Sequence, residues 1–334
     1  MLAKCYTSLI VCAALLTGTV DAQTGANWGG FNTIRNIWTA GASIDYIGSG
    51  ALSYSTTANG PNHINYIVNA RGANNVNLNK FAFPGAVTDT RYATPTTFLG
   101  FNPIINWNDQ ITMISNVFSA ARLAGNASSR DSLFIFLGSN TGNDVLNTYN
   151  TTTNQAQTIT NLIGTIRSKF AQIYNAGARN FIFLSVLPAE LIPRIQNRGA
   201  ADIAKVADFA RNYQTAVVAL INELNNNPTY RGQITIFAPD FTQTLRDIKS
   251  GALTTGPTAG YLDRSGYCAD AELIGIVVPP NPDYTSPNCQ YRARKYLFHD
   301  EIHFTSPTHC EYALNSLRSM GVTATPQQLS CQIA

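Results

Sequence analysis

Of the four histidines in this 334-residue chain, three (His299, His303 and His309) lie in or beside the stretch Phe298-His299-Asp300-Glu301-Ile302-His303-Phe304-Thr305-Ser306-Pro307. Histidine carries the side-chain proton that moves most readily near neutral pH, so it is the natural general base. Asp300 precedes His303 by three positions. In a turn or a first helical turn, that spacing lets the carboxylate accept a hydrogen bond from the imidazole. A base oriented in this way calls for a nucleophile and for donors to a developing oxyanion.

Ser43, in Ala40-Gly41-Ala42-Ser43-Ile44-Asp45, is the candidate nucleophile, because it follows a predicted strand on a turn opened by glycine. Asp45 excludes the Gly-x-Ser-x-Gly elbow. Two further strand ends offer donors: the N–H of Gly85 in Phe81-Ala82-Phe83-Pro84-Gly85, and the amide of Asn140 in Gly138-Ser139-Asn140-Thr141-Gly142-Asn143-Asp144. Each alone also reads as ordinary turn chemistry. A metal site is the rival for the histidine stretch, since His299 and His303 would share one face of a helix. Glu301 stands in the wrong place for His-Glu-x-x-His and no third ligand follows, so no metal is expected. His63, His299 and His309 are expected to be packed or capping residues.

These groups need elements to carry them. Five short β-prone runs alternate with longer helical patterns: Asn36–Thr39, Asn79–Phe83, Ser132–Leu137, Asn180–Leu187 and Gln233–Ala238. The middle three are continuous apolar runs, expected to be buried on both faces. Helices are expected over Asn62–Ala70, Trp107–Leu123, Gln155–Ala176, Ala201–Leu224 and Ser306–Met320, the last with Pro307 in its first turn. Alternation at this spacing predicts one α/β domain, a doubly wound parallel sheet with helices on both faces. Such sheets carry their sites at the C-terminal strand ends. Ser250–Tyr296, rich in Gly, Pro and Tyr, reads as a long irregular connection laid over the site; as a region it spans about residues 250–296.

Residues 1–22 read as a secretory signal: Lys4, an apolar core Leu9–Leu16, and a small residue at the cut before Gln23. Residues 23–334 then form the domain, without an apolar run long enough to span a membrane. The chain is 45% hydrophobic and 12% charged, with a net charge of +3. Without a Lys/Arg cluster interleaved with aromatics, nucleic acid is not an expected partner. Cys268, Cys289, Cys310 and Cys331 make an even set in an exported chain, with three possible pairings. Cys268–Cys289 and Cys310–Cys331 are preferred, because each closes a local loop. Asn126-Ala127-Ser128 and Asn150-Thr151-Thr152 are acceptors for glycosylation.

Serine, glycine, asparagine and histidine thus follow one another in chain order, each at a strand end or in the C-terminal stretch. In Gly41-Ala42-Ser43, Gly85, Gly138-Ser139-Asn140-Thr141 and Asp300-Glu301-Ile302-His303 the chain resembles the four blocks of the SGNH hydrolase superfamily, the GDSL esterases and lipases. Asn59-Gly60-Pro61-Asn62, Phe81–Ala86, Gly177–Phe181 and His303–His309 look like secreted fungal acetylesterases of the plant-cell-wall type. The resemblance covers essentially all of residues 23–334. It departs at Ala42 and at Thr141, where the family has acids. A second alignment slides to Gly142-Asn143-Asp144; Asn140 is preferred because it follows the strand end at Leu137 closely.

The resemblance implies a flavodoxin-like domain with a central five-stranded sheet, and a secreted serine esterase without a cofactor. Ser43 would be the nucleophile, His303 the base and Asp300 its orienting acid. Ser43, Gly85 and Asn140 would form the oxyanion hole. Short acyl esters of carbohydrate are the implied substrates, with longer lipid esters the alternative. A descendant that binds glycan or a partner without turnover is a further alternative, raised by Ala42 and Thr141. A monomer is expected.

Overall fold

The computed structural model describes residues 24–48, 55–97 and 103–334, so the expected signal at 1–22 lies outside the described residues. Five strands make one parallel sheet: β1 (Asn36–Thr39), β2 (Asn77–Lys80), β3 (Ser132–Leu137), β4 (Asn180–Phe183) and β5 (Thr235–Phe237), in the order β2-β1-β3-β4-β5. The chain runs outward from β1 to β2 and then returns past β1 to β3. The order therefore reverses between β1 and β3, and the crevice at their C-terminal ends is where a doubly wound sheet binds ligands.

The central strands are buried along their whole length, as their apolar runs require when helices cover both faces. The expectation of a fully buried second strand does not hold. β2 is an edge strand, begins two residues earlier than its apolar run, and leaves Asn77, Asn79 and Lys80 partly or fully exposed. With a neighbour on one side only, its polar side chains reach water, and Phe81–Gly85 become the loop beyond it. β4 likewise stops at Phe183; Leu184 still donates its N–H to the Leu137 carbonyl at 2.9 Å, but the rest of the apolar run leaves the sheet.

Among the described residues eight α-helices complete the layers. Here α1 is His63–Arg71, α2 Trp107–Leu123, α3 Asn140–Thr148, α4 Gln155–Asn175, α5 Pro193–Gln196, α6 Ala200–Asn226, α7 Phe241–Ser250 and α8 Ser306–Ser319. α1, α8 and α7 pack in succession, and so do α2, α4 and α6. Between sheet and helices a single apolar core runs through Trp38, Phe134, Phe136, Phe170 and Phe181. α3, α5 and α7 are additions to the helices read from sequence.

After α7 the chain follows an irregular path to Tyr296, broken only by short 3-10 turns at Ala269–Ala271 and Ala293–Lys295. A small second cluster around Cys268, Ala271, Ile274, Ala293 and Tyr296 holds this connection together. Disulfides join Cys268 to Cys289 and Cys310 to Cys331, the second fastening α8 to the C-terminal tail. Asn126 and Asn150 are both exposed. Among the described residues no helix is long and apolar enough to cross a membrane.

Candidate active site

Ser43 opens a one-turn 3-10 helix, Ser43–Asp45, four residues beyond β1. Its loop is held from several sides. Gln110 of α2 accepts the Gly41 N–H at 2.8 Å and donates back to the Gly41 carbonyl at 3.0 Å. The Ala42 N–H goes to Asp45 Oδ2 at 3.1 Å, and Thr57 Oγ1 donates to the Ser43 carbonyl at 3.0 Å. Of the consecutive N–H groups at 41, 42 and 43, side chains take the first two. The third, on Ser43, meets no acceptor among the described residues and is free for a ligand.

The C-terminal stretch comes to this loop as a tight turn, not a helix. Phe298 and Phe304 form an antiparallel bridge, and the His299 N–H donates to the His303 carbonyl at 2.8 Å. Inside the turn, Asp300 Oδ1 accepts the N–H groups of Ile302 and His303, each at 2.7 Å. Its other oxygen lies 2.5 Å from His303 Nδ1, and His303 Nε2 lies 2.7 Å from Ser43 Oγ. Ser43, His303 and Asp300 are all buried. Burial alone would raise the Asp300 carboxyl, but the charge of His303 and its hydrogen bond outweigh it and hold Asp300 well below the usual carboxylate range. The acid therefore stays ionised beside the imidazole.

Gly85 takes φ of +79°, and a Cβ there would stand 1.8 Å from the Thr96 carbonyl oxygen, so only glycine fits this turn. Its N–H, like that of Ser43, has no acceptor among the described residues. Around the Ser43 hydroxyl is a cavity of about 170 Å³, whose walls include Gly85, Asn143, Glu272 and His303.

The structure places the two candidate asparagines differently. Asn140 is fully buried and does not line the cavity. Its Oδ1 accepts the Gly138 N–H at 3.2 Å, and its Nδ2 donates to Thr88 Oγ1 at 2.7 Å. Asn143, one turn further along α3, faces the cavity and spends one amide proton on the Ala86 carbonyl at 2.9 Å. The reason is that α3 starts directly at Asn140. Its first side chain folds back under the strand end, and the next turn presents Asn143. Asp144 follows Asn143 and accepts from Thr88 N–H (2.8 Å), Thr88 Oγ1 (2.5 Å) and Tyr213 Oη (3.0 Å). Asn143 and Asp144 thus place an amide at the cavity wall and a buried acid directly behind it.

The other histidines are packed. His63 and His309 stack at 5.8 Å, and the His63 N–H donates to His309 Nδ1 at 3.3 Å. Burial pushes His299 down to about 4 and His309 well below the usual histidine range, which keeps both neutral at neutral pH. Among the described residues no group of three acidic, histidine or cysteine side chains is arranged to hold a metal ion. Arg194 forms a paired contact with Glu301 at the cavity mouth. Beyond it lies a larger depression of about 510 Å³, which shares Leu146, Asn147, Arg194 and Glu301 with the first and adds Tyr149, Asn197 and Arg198.

The sequence profile of the GDSL-like lipases and acylhydrolases matches residues 25–313, and so takes in every element of this site. The chain belongs to that family. It is a family of ester hydrolases of the SGNH type, and the five-stranded parallel sheet agrees with it. Among solved structures the GDSL-like chain is similar to protein YxiM from Bacillus subtilis, at 11% identity and a TM-score of 0.40. The aligned part covers 86% of this chain and 56% of that one, so the chain spans little more than half of YxiM. No curated protein matches this family member.

Proposed function

We propose that this chain is an exported serine esterase that removes short acyl groups from carbohydrate through an acyl-enzyme on Ser43. One observation carries the reading: Ser43 Oγ, His303 Nε2, His303 Nδ1 and Asp300 form a relay with contacts of 2.7 Å and 2.5 Å, open to a cavity beside two unengaged N–H groups.

Ser43 Oγ attacks the ester carbonyl as His303 Nε2 takes its proton, and Asp300 stabilises the imidazolium. The N–H groups of Ser43 and Gly85 hold the carbonyl oxygen as it becomes negative, with Asn143 as the side-chain donor in place of Asn140. The tetrahedral intermediate collapses, His303 protonates the leaving alcohol, and Ser43 keeps the acyl group. Water, deprotonated by His303, then attacks the acyl-enzyme. Collapse of the second intermediate releases the acid, and the proton returns from His303 to Ser43.

The acyl preference rests on size. A cavity of about 170 Å³ lies well below what larger organic ligands occupy and suits a short acyl group better than a lipid chain. The neighbouring depression, lined by Asn147, Asn197 and arginines, offers hydrogen-bonding groups to a sugar alcohol. Two disulfides support export, and exposed Asn126 and Asn150 would be open to glycosylation on that route.

An organophosphonate serine probe together with a small acetyl ester tests the reading. Wild type is expected to be labelled at Ser43 and to turn over the ester, and Ser43→Ala and His303→Ala to lose turnover. Glycan retention by wild type and Ser43→Ala alike, without labelling or turnover, would favour a binding protein instead.

A further inference from the structure

Asp45 is a fully buried carboxylate that the reaction does not use. Its Oδ2 accepts three hydrogen bonds from two different loops: the Ala42 N–H at 3.1 Å, and the N–H and Oγ of Ser139, each at 2.7 Å. Ala42 precedes the nucleophile on the loop after β1. Ser139 follows β3 and stands at the N-cap of α3, the helix that presents Asn143. The flanking glycines are shaped to this carboxylate. A Cβ on Gly41 would meet Asp45 Oδ2 at 2.0 Å, and one on Gly138 would meet it at 2.4 Å. The second oxygen lies 3.3 Å from His63 Nε2, beneath the loop.

Two loops at neighbouring strand ends, each carrying part of the site, are thus joined through one oxygen atom. We propose that Asp45 is a positioning residue for the ester hydrolysis, tying the Ser43 loop to the start of α3. By taking the Ala42 N–H it also leaves the Ser43 N–H as the next donor in the row, without an acceptor among the described residues. The tie depends on an oxygen acceptor at this place more than on its charge. In Asp45→Asn the side-chain carbonyl oxygen would stay among the same three donors while the NH₂ turns toward His63.

The proposal rests on the esterase reading for its kinetic test, and a structural measurement tests it separately. Loss of the tie moves reacting atoms, and a 1 Å misplacement costs about 10²-fold in rate. Asp45→Ala is expected to lower kcat about 100-fold with KM changed less than about 3-fold, and Asp45→Asn to recover most of the loss. Ser139→Ala removes only the hydroxyl leg from a partly exposed residue and is expected to lower kcat several-fold in a protein that still folds. Crystal structures of Ser139→Ala and, where it folds, of Asp45→Ala are expected to show Ser43 Oγ withdrawn from His303 Nε2, and that of Asp45→Asn, which keeps the oxygen, to show it in place. That result is read whether or not wild type turns over an ester. An unmoved Ser43 in Ser139→Ala and Asp45→Ala overturns the proposal, as does wild-type kcat in a folded Asp45→Ala. Wild type without turnover or labelling, but with Ser43 displaced in the variants, would fault the esterase reading and leave the tie standing.

Discussion

Asn140 and Asn143 are the same residue type three positions apart in α3, and their amides have different partners. Asn140 closes a buried chain from the Gly138 N–H through its own amide to Thr88 and on to Asp144. Asn143 has an amide proton to spare at the cavity wall. Asn143→Ala is therefore expected to lower kcat by about 10²–10³-fold, the effect of losing one oxyanion donor, with little change in stability. Asn140→Ala should destabilise the fold by about 1–3 kcal/mol through the unpaired Gly138 and Thr88 groups. Steady-state kinetics and urea unfolding on the two variants separate these outcomes, and the opposite pattern would return the donor role to Asn140. The residue types at the site were legible in sequence. Which of two asparagines points outward was not, because that depends on where the helix starts.

α3 escaped the sequence reading because Asn140–Thr148 is polar and carries only Val145 and Leu146 as large apolar residues. Its inward face combines Val145 with the polar Asn140, Thr141 and Asp144, all fully buried. α7 had a signal that could have been used: Phe241, Leu245 and Ile248 at helical spacing, behind Asp240, whose side chain caps the helix through the Gln243 N–H. β1, β3 and α2 have the boundaries read from sequence, since their patterns are strong and their ends are marked.

Asp144 gives α3 a dependence on pH. Burial pushes its carboxyl from 3.8 up to about 7, against the three donors that would lower it. A raised folded pKa contributes stability that is complete below about pH 3.8 and is lost as pH rises through 7, because the folded state keeps a proton that the unfolded chain releases. Melting temperature should carry this loss between those limits in wild type, and Asp144→Asn should flatten it. Parallel pH curves for the two proteins would show that Asp144 is not the group responsible.

Across the whole molecule, the nucleophile and its base are 260 residues apart and meet because α1 bridges their segments: its N-cap Asn62 donates to the Ile44 and Tyr46 carbonyls of the Ser43 loop, and the helix packs against α8. α8 begins just after the His303 turn, packs against α1 and α7, and is fastened to the tail by Cys310–Cys331. Replacing both cysteines by serine should cost about 2–4 kcal/mol, the usual worth of such a bridge. It should also make activity fail at a lower temperature than in wild type. Denaturation curves and residual ester turnover after heating would measure both, and an unchanged midpoint would mean that packing alone holds α8.

The sequence by itself determined the class of fold and the residue types at the candidate site. Period-2 and period-3.6 apolar patterns specify strands and helices locally, and an Asp–His pair three residues apart can interact within one turn whatever surrounds it. Tertiary structure alone decided that the second strand is a half-exposed edge, that Asn143 faces the cavity, and that Asp45 serves two loops at once. Each of these depends on what a residue meets from a distant part of the chain. Strand neighbours, helix starts and shared hydrogen-bond acceptors are set when the sheet assembles, so local spacing carries no record of them.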